Sequence, residues 1–143
     1  MIAISSDHGG YQLKEAIKKH LSARGDEFKD FGTHSEESCD YPVYAKMTAK
    51  AVASGECELG IVVCGTGIGV SIAANRVRGV RAALCTDARM AEVTRLHNDS
   101  NVLALGGRVL SEEEAFLVVD KFLDTKFSGE ERHIRRIKML EED

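Results

Sequence analysis

Short apolar runs alternate along the chain with stretches in which apolar residues recur every three or four positions. A continuous apolar run such as residues 59–64 is typical of a strand that is buried on both faces, and residues 80–85 are predicted to form another buried strand. The three- and four-residue spacing predicts amphipathic helices. The predicted strands are residues 2–6, 27–31, 59–64, 80–85 and 102–105. The predicted helices lie around residues 13–21, 42–53, 70–75, 88–97, 112–122 and 130–140.

Local signals at the ends of these segments support the helix assignments. Gly25 stands where a left-handed cap would end the first helix, and Pro42 suits the first turn of the second. Ser111 and Glu114 have the spacing of a capping box. The charged residues of the first helix are expected to face away from its apolar side; they are Lys14, Glu15, Lys18 and Lys19.

Alternation of strands and helices predicts the class of fold. It indicates an α/β protein with a five-stranded parallel sheet and helices on both faces, which makes three layers. With 143 residues, the chain fits one domain, 1–143. Ligands of such sheets bind beyond the carboxyl ends of the strands. That rule selects four segments, which are residues 7–10, 64–69, 86–87 and 106–108.

Composition narrows the class of partner. The net charge is −4 with both signs interspersed, which argues against nucleic acid but leaves room for a local basic pocket that binds a small anion. No apolar stretch approaches the ~20 residues of a membrane span, and the first residues do not resemble a signal peptide. The cysteines have neither CxxC nor zinc-type spacing, so reduced thiols in the cytoplasm are expected. They are Cys39, Cys57, Cys64 and Cys85.

A glycine-rich segment, CGTGIG, follows the third predicted strand. Gly65, Gly67 and Gly69 allow a tight turn, and their N–H groups together with the next helix N-terminus favour negative charge. The segment lacks the Walker pattern and matches GxGxxG only in part. A plain strand-to-helix turn therefore remains an alternative to an oxyanion-binding loop.

Cys64 is a candidate base. It ends a buried strand just before a helix N-terminus, a location that favours the thiolate. A thiolate can remove the weakly acidic proton next to a carbonyl, and the adjoining amides could hold the developing enediolate oxygen. A buried structural cysteine is the alternative, and it is the interpretation we give to Cys39, Cys57 and Cys85.

Two further side chains are candidates for proton transfer. Asp7 leaves the first strand beside His8 and is either a turn residue or a carboxylate that moves protons between neighbouring sugar oxygens. His97, near a helix C-terminus, is either a packing or capping residue or an acid–base group.

Three arginines are candidates for an anion clamp. Arg132 and Arg136 are four residues apart and so share a helix face, and with Arg108 they could hold a phosphate. A solvated helix face is the alternative, because the surrounding residues are also charged. A base, an oxyanion loop, a proton shuttle and an anion clamp together suit one reaction class, the isomerisation of a sugar phosphate.

Five segments resemble one family closely over nearly the whole chain. They are SDHGGYQLK (residues 6–14), DYP (40–42), CGTGIGVSIAANRVRGVRAALC (64–85), HNDSNVLALGGRV (97–109) and RHIRRI (132–137). In order and spacing they resemble the type B ribose-5-phosphate isomerases, a family that includes galactose-6-phosphate and allose-6-phosphate isomerases. The resemblance implies a Rossmann-like sheet, no metal or cofactor, and a homodimer, sometimes paired into a tetramer. It also implies active sites that draw residues from two chains.

The resemblance further implies roles for the matching residues. Cys64 would move the proton between C2 and C1 with help from Thr66, Asp7 would move a proton between O1 and O2, and His97 would help to open the furanose ring. The predicted sugar, enediolate and phosphate contacts are His8, Tyr41, Gly65, Gly67, Gly69, Asn98, Arg108, Arg132 and Arg136.

The glycine loop distinguishes branches of this family. One branch lacks the cysteine and carries a glutamate within the loop; here Val70 occupies that position, so the chain resembles the cysteine branch. The predicted activity is interconversion of ribose 5-phosphate and ribulose 5-phosphate through a cis-enediolate. Two alternatives remain, a hexose 6-phosphate isomerase and a non-catalytic phosphosugar sensor. The five histidines show no metal-type pair, and no metal is expected.

Overall fold

Five parallel strands form one sheet in the order β2-β1-β3-β5-β4 in the computed structural model, which describes residues 1–142. The predicted α/β fold with helices on both faces is thus confirmed. The strands are β1 Ile2–Ser6, β2 Phe28–Asp30, β3 Leu59–Cys64, β4 Ala82–Leu84 and β5 Val102–Gly106. The helices are α1 Tyr11–Arg24, α2 Tyr41–Ala53, α3 Ile68–Ala74, α4 Ala88–Asn98, α5 Glu112–Asp124 and α6 Glu131–Glu141.

Side chains of the three central strands alternate between two hydrophobic cores. Ile4, Ile61 and Leu103 pack with α1 and α5 on one face of the sheet. Their neighbours Val62 and Ala104 pack with α2 and α3 on the other. Burial on both faces explains why these strands have continuous apolar sequences.

The predicted helix ends are confirmed. Gly25 ends α1 in the left-handed conformation with φ of 86°, where a side chain would be strained. Pro42 lies in the first turn of α2, and Ser111 and Glu114 form both bonds of the capping box on α5. Among residues 1–142, no helix is both long and apolar enough to cross a membrane.

Two expectations about burial were wrong. Lys14 does not face solvent; it is fully buried, and its Nζ donates to both oxygens of Asp30 at 2.8 and 2.7 Å and to the Thr33 carbonyl at 2.6 Å. β4 is not a fully buried strand, because it lies at the edge of the sheet and all three of its residues are half-buried. Only contacts distant in sequence distinguish these arrangements from the expected ones.

Candidate active site

The sheet changes its winding direction between β1 and β3. The chain leaves β1 towards β2 on one side, whereas β3 leads towards β4 on the other. Open parallel sheets bind ligands at this crevice, beyond the carboxyl ends of the two strands. Asp7 follows β1 there and Cys64 ends β3, so the strand order brings together the predicted proton shuttle and base.

Cys64 is nearly buried, with 5% of its surface exposed. Its Sγ accepts a hydrogen bond from the Gly67 amide at 3.1 Å, which would become a stronger, charge-assisted bond to a thiolate. Gly67 is the N-cap residue of α3 and has φ of 81°, so the left-handed turn that a glycine permits directs this amide back at the sulfur. At least one amide of the glycine loop is therefore directed at the Cys64 thiol.

Three loops meet closely around Cys64. The position that a Cβ on Gly9 would take lies 3.2 Å from the Gly65 nitrogen and 3.4 Å from Asp7 Oδ1, so the carboxylate and the glycine loop are neighbours. Asp7 Oδ1 also accepts from the Gly10 amide at 3.0 Å, which fixes the carboxylate. A Cβ on Gly107 would lie 3.0 Å from the Gly9 carbonyl, so the β5 loop reaches the same place.

Arg108 is fixed to the glycine loop. Its amide donates to the Gly65 carbonyl at 2.9 Å, and its guanidinium lies 3.2 Å from where a Cβ on Gly65 would be. This contact places a permanent positive charge beside the turn that carries Cys64. An anionic substrate would therefore be attracted to this edge of the sheet.

His8 lies beside the same crevice, and its tautomer follows from its partner. Its Nδ1 accepts from the Cys39 amide at 3.2 Å, so the proton of the neutral ring is on Nε2. Nε2 is then a donor, as a phosphate ligand must be. Cys39, interpreted from the sequence as structural or inert, thus orients a predicted ligand through its backbone.

Tyr41 and Thr66 flank the loop. The Tyr41 ring covers Gly69 so closely that a Cβ there would lie 2.7 Å from it. Thr66 is exposed, and its Oγ1 accepts from the Ile68 amide at 3.2 Å. Nine of the predicted site residues therefore lie near the carboxyl ends of the strands. They are Asp7, His8, Tyr41, Cys64, Gly65, Thr66, Gly67, Gly69 and Arg108.

The remaining four predicted residues lie near the amino ends of the strands; they are His97, Asn98, Arg132 and Arg136. His97 and Asn98 end α4, where the Asn98 carbonyl accepts from Arg81 Nε at 2.9 Å just before β4 begins. At ~3.3 Å per residue, the five-residue strand β5 is roughly 16 Å long, which is the separation between the two ends of the sheet along the strand direction. The clamp of Arg108 with Arg132 and Arg136, suggested by spacing, does not form within one chain.

α6 contacts His97 through His133, which was not among the site residues predicted from the sequence. The His133 ring stacks on the His97 ring, with centroids 4.3 Å apart and planes 19° apart. His133 is 6% exposed, and Arg132 and Arg136 beside it are exposed. Helical spacing gave only part of this signal, because it places His133 about 100° around the helix from Arg132 but does not say what covers that side.

No three side chains of the types that bind metals come together within the described residues 1–142. The chemistry available at the crevice is therefore that of a thiol, a carboxylate, an imidazole, backbone amides and a guanidinium. Such a set can move a proton between carbon atoms next to a carbonyl while it holds an anion. These groups are typical of an enzyme for a phosphorylated carbonyl compound.

Comparison with known proteins identifies the family. Residues 2–140 match the family described as Ribose/Galactose Isomerase. The chain belongs to this family. It is 48% identical to ribose-5-phosphate isomerase B of Escherichia coli over 139 residues, which are 97% of this chain and 93% of that protein.

Solved structures agree in fold as well as sequence. A ribose-5-phosphate isomerase B from Clostridium thermocellum superposes with a TM-score of 0.96 at 53% identity, over 98% of this chain and 94% of that one. A ribose 5-phosphate isomerase from Thermotoga maritima gives a TM-score of 0.97 at 52% identity, over 99% and 97% of the two chains.

Proposed function

We propose that the chain interconverts ribose 5-phosphate and ribulose 5-phosphate, with Cys64 as the base. The observation that carries the proposal is the Cys64 thiol at the β1/β3 crevice, which receives the Gly67 amide and has Asp7 in the neighbouring loop. Full-length similarity to proteins named for this activity supports the choice of substrate. No metal or cofactor enters the proposed reaction.

The proposed reaction begins from the open-chain aldose. The Cys64 thiolate removes the C2 proton, and the electrons of that C–H bond form the C1–C2 double bond of a cis-enediolate. The thiol returns the proton to C1, while Asp7 carries the hydroxyl proton from O2 to O1, which yields the ketose. The Gly67 amide stabilises the thiolate at the start and end of this cycle. Gly65 and Gly69 are the proposed neighbours of the enediolate oxygens.

Phosphate binding is proposed to use His8 and Arg108 of one chain with Arg132 and Arg136 of a second. The second chain would also supply His97 for ring opening and Asn98 for the sugar. Separation of the two groups by the length of a strand supports this division, because one chain cannot close it. Tyr41 over Gly69 is the proposed side wall of the sugar site.

A homodimer is therefore part of the proposal. Large apolar side chains are exposed on α2 and α3 next to the glycine loop, and a second copy would remove them from water. They are Val43 (56% exposed), Met47 (42%), Ile68 (52%) and Ile72 (56%). Because Ile68 lies within the glycine-rich segment, a second copy that covers it would lie at the crevice.

The cellular setting and the extent of the domain complete the proposal. The four cysteines are unpaired, which suits a reducing compartment such as the cytoplasm. Helices α1 to α5 contribute residues to the two cores on one sheet and α6 packs on α4, which supports a single catalytic domain over residues 1–143. The family description also names galactose, so a hexose 6-phosphate is the second candidate substrate.

Hydrogen exchange in deuterated water tests the proposal. Wild-type protein is expected to exchange the C2 proton of ribose 5-phosphate with or without a chelator, and Cys64→Ala to lose about 10²–10⁴-fold in rate. NMR loss of the C2 proton signal is the measurement. A Cys64→Ala variant with wild-type exchange would refute the base assignment. Exchange with hexose 6-phosphates alone would establish the second candidate.

A further inference from the structure

We propose that His133 is a positioning residue that holds the His97 imidazole in the orientation required for opening the sugar ring. The inference rests on the proposed function, in which His97 acts on the cyclic substrate. It assigns to α6 a task besides carrying Arg132 and Arg136. The observation behind it is the stacked pair of imidazoles at the end of α4.

The contact determines where His97 can be. α4 ends at Asn98, so His97 lies in the last turn of a helix and is exposed. A side chain there would ordinarily sample several rotamers. The His133 ring lies against one face of its imidazole at a centroid distance of 4.3 Å, and burial of His133 fixes that surface.

His133 has a feature that a packing residue would not need. Its Nε2 is buried with no hydrogen-bond partner, and Oε2 of Glu130, the N-cap residue of α6, is 3.8 Å away. A phenylalanine would fill the space without burying a polar atom, so packing alone does not account for a histidine. An imidazole offers an aromatic face that tolerates His97 both neutral and protonated.

The groups around His133 favour the neutral form of its ring. Burial lowers its pKa below the ordinary histidine value, and the nearby His97, Arg132 and Arg136 lower it further, whereas Glu130 opposes them. A neutral ring attracts an imidazolium through its π face, whereas a charged ring would repel it. His97 can therefore change its charge during ring opening without losing its support.

Two substrates separate this task from the rest of the reaction. Ribose 5-phosphate is a furanose, which must be opened before Cys64 can act. Ribulose 5-phosphate has its C5 oxygen blocked by phosphate, so it cannot close a furanose ring and remains acyclic. Exchange of its C1 proton in deuterated water requires the base and the phosphate ligands but no ring opening.

The experiment compares His133→Ala, His133→Phe and the matched control His20→Ala. His20 also stacks on an aromatic ring, that of Phe116 at 4.4 Å, but between α1 and α5 and away from the crevice. His133→Ala is expected to lower kcat for ribose 5-phosphate by on the order of tenfold to a hundredfold. C1 exchange of ribulose 5-phosphate is expected to stay within about twofold. His133→Phe is expected to lose less of kcat than His133→Ala, because it keeps the aromatic face but not the imidazole.

Each result decides the inference. Unchanged kcat in His133→Ala, or equal losses in conversion and in C1 exchange, would overturn it, because equal losses indicate a general disturbance of α6. Equal effects of His133→Ala and His20→Ala would overturn it as well. Wild-type protein without conversion or exchange would instead refute the proposed function, and the inference with it.

Discussion

The four thiols have different surroundings, from which we expect different reactivities. Burial, with a smaller contribution from Asp87, raises the pKa of Cys85 to about 12, so this thiol stays protonated at neutral pH. Burial and Glu56 also raise the pKa of Cys57. Cys39 is partly exposed beside His8, whereas Cys64 receives the Gly67 amide. Loss of activity on alkylation therefore does not by itself identify the base.

Peptide mapping during alkylation resolves the question. We expect iodoacetamide to inactivate the wild type in step with modification of Cys64, and ribose 5-phosphate to protect both the residue and the activity. Cys85 should remain unmodified in the folded protein because it is 1% exposed and protonated. The measurement is mass spectrometry of samples taken during alkylation, with the remaining activity assayed in the same samples. Full inactivation while Cys64 is still free would contradict this prediction.

α1 is tied to the segment after β2 by a buried charge. Lys14 Nζ holds Asp30 and the Thr33 carbonyl, and Lys18 Nζ also reaches Asp30 at 2.9 Å. Burial alone would raise the pKa of Asp30, but hydrogen bonds from Lys14, the Gly32 amide and Lys18 outweigh it, so the pKa is lowered. The chain from Thr33 then leads to the Cys39 amide that orients His8.

We expect Lys14→Met to lower the free energy of unfolding by roughly 3–5 kcal/mol at pH 7, because it leaves a largely buried carboxylate without its main partner. The lowered pKa stabilises the wild type above the ordinary carboxyl pKa near 4, and this stabilisation is lost as the pH falls through the folded pKa of Asp30. The difference between wild type and variant should therefore shrink in acid.

Urea unfolding at pH 7 and at acidic pH measures this effect. Lys29→Met is the matched control, because Lys29 pairs with Glu56 at the surface, where the side chains are 52% and 48% exposed. A surface pair contributes about 0–1 kcal/mol. A difference between wild type and Lys14→Met that is independent of pH would show that the carboxylate is not the cause.

At the scale of the whole molecule, the predicted site is divided between the carboxyl ends and the amino ends of the strands of one sheet. Cys64 and Asp7 follow strands at their carboxyl ends, whereas His97 ends a helix that has returned to the amino ends. A helix that follows a strand in a parallel sheet necessarily runs back along it. Under the proposed mechanism, Cys64 and His97 can therefore serve one site only if a second copy supplies one of them.

Mixing two inactive variants tests this division. Cys64→Ala and His97→Asn are each expected to be inactive or nearly so, and mixtures refolded together to recover roughly a quarter of wild-type activity. Random pairing makes half the dimers mixed, and each mixed dimer has one intact site. Activity before and after co-refolding is the measurement. If Cys64 and His97 acted within one chain, every site would carry a lesion and nothing would be recovered.

Local signals in the sequence determined the elements and much of the chemistry. The apolar run at residues 59–64 predicted β3 with its bounds, and Ser111 with Glu114 predicted the start of α5, because such signals act within a few residues. The segments around Cys64 and His97 likewise carried the resemblance to the family. Recurrent side-chain spacing and short motifs are complete in the sequence itself.

Tertiary structure decided which of these elements are neighbours. It set the strand order that places Asp7 beside the Cys64 loop, buried Lys14 on Asp30, put β4 at an edge and stacked His133 on His97. Each arrangement depends on chain segments that are distant in sequence. A pattern of spacing gives the face on which a side chain lies, but only the packed fold determines what covers that face.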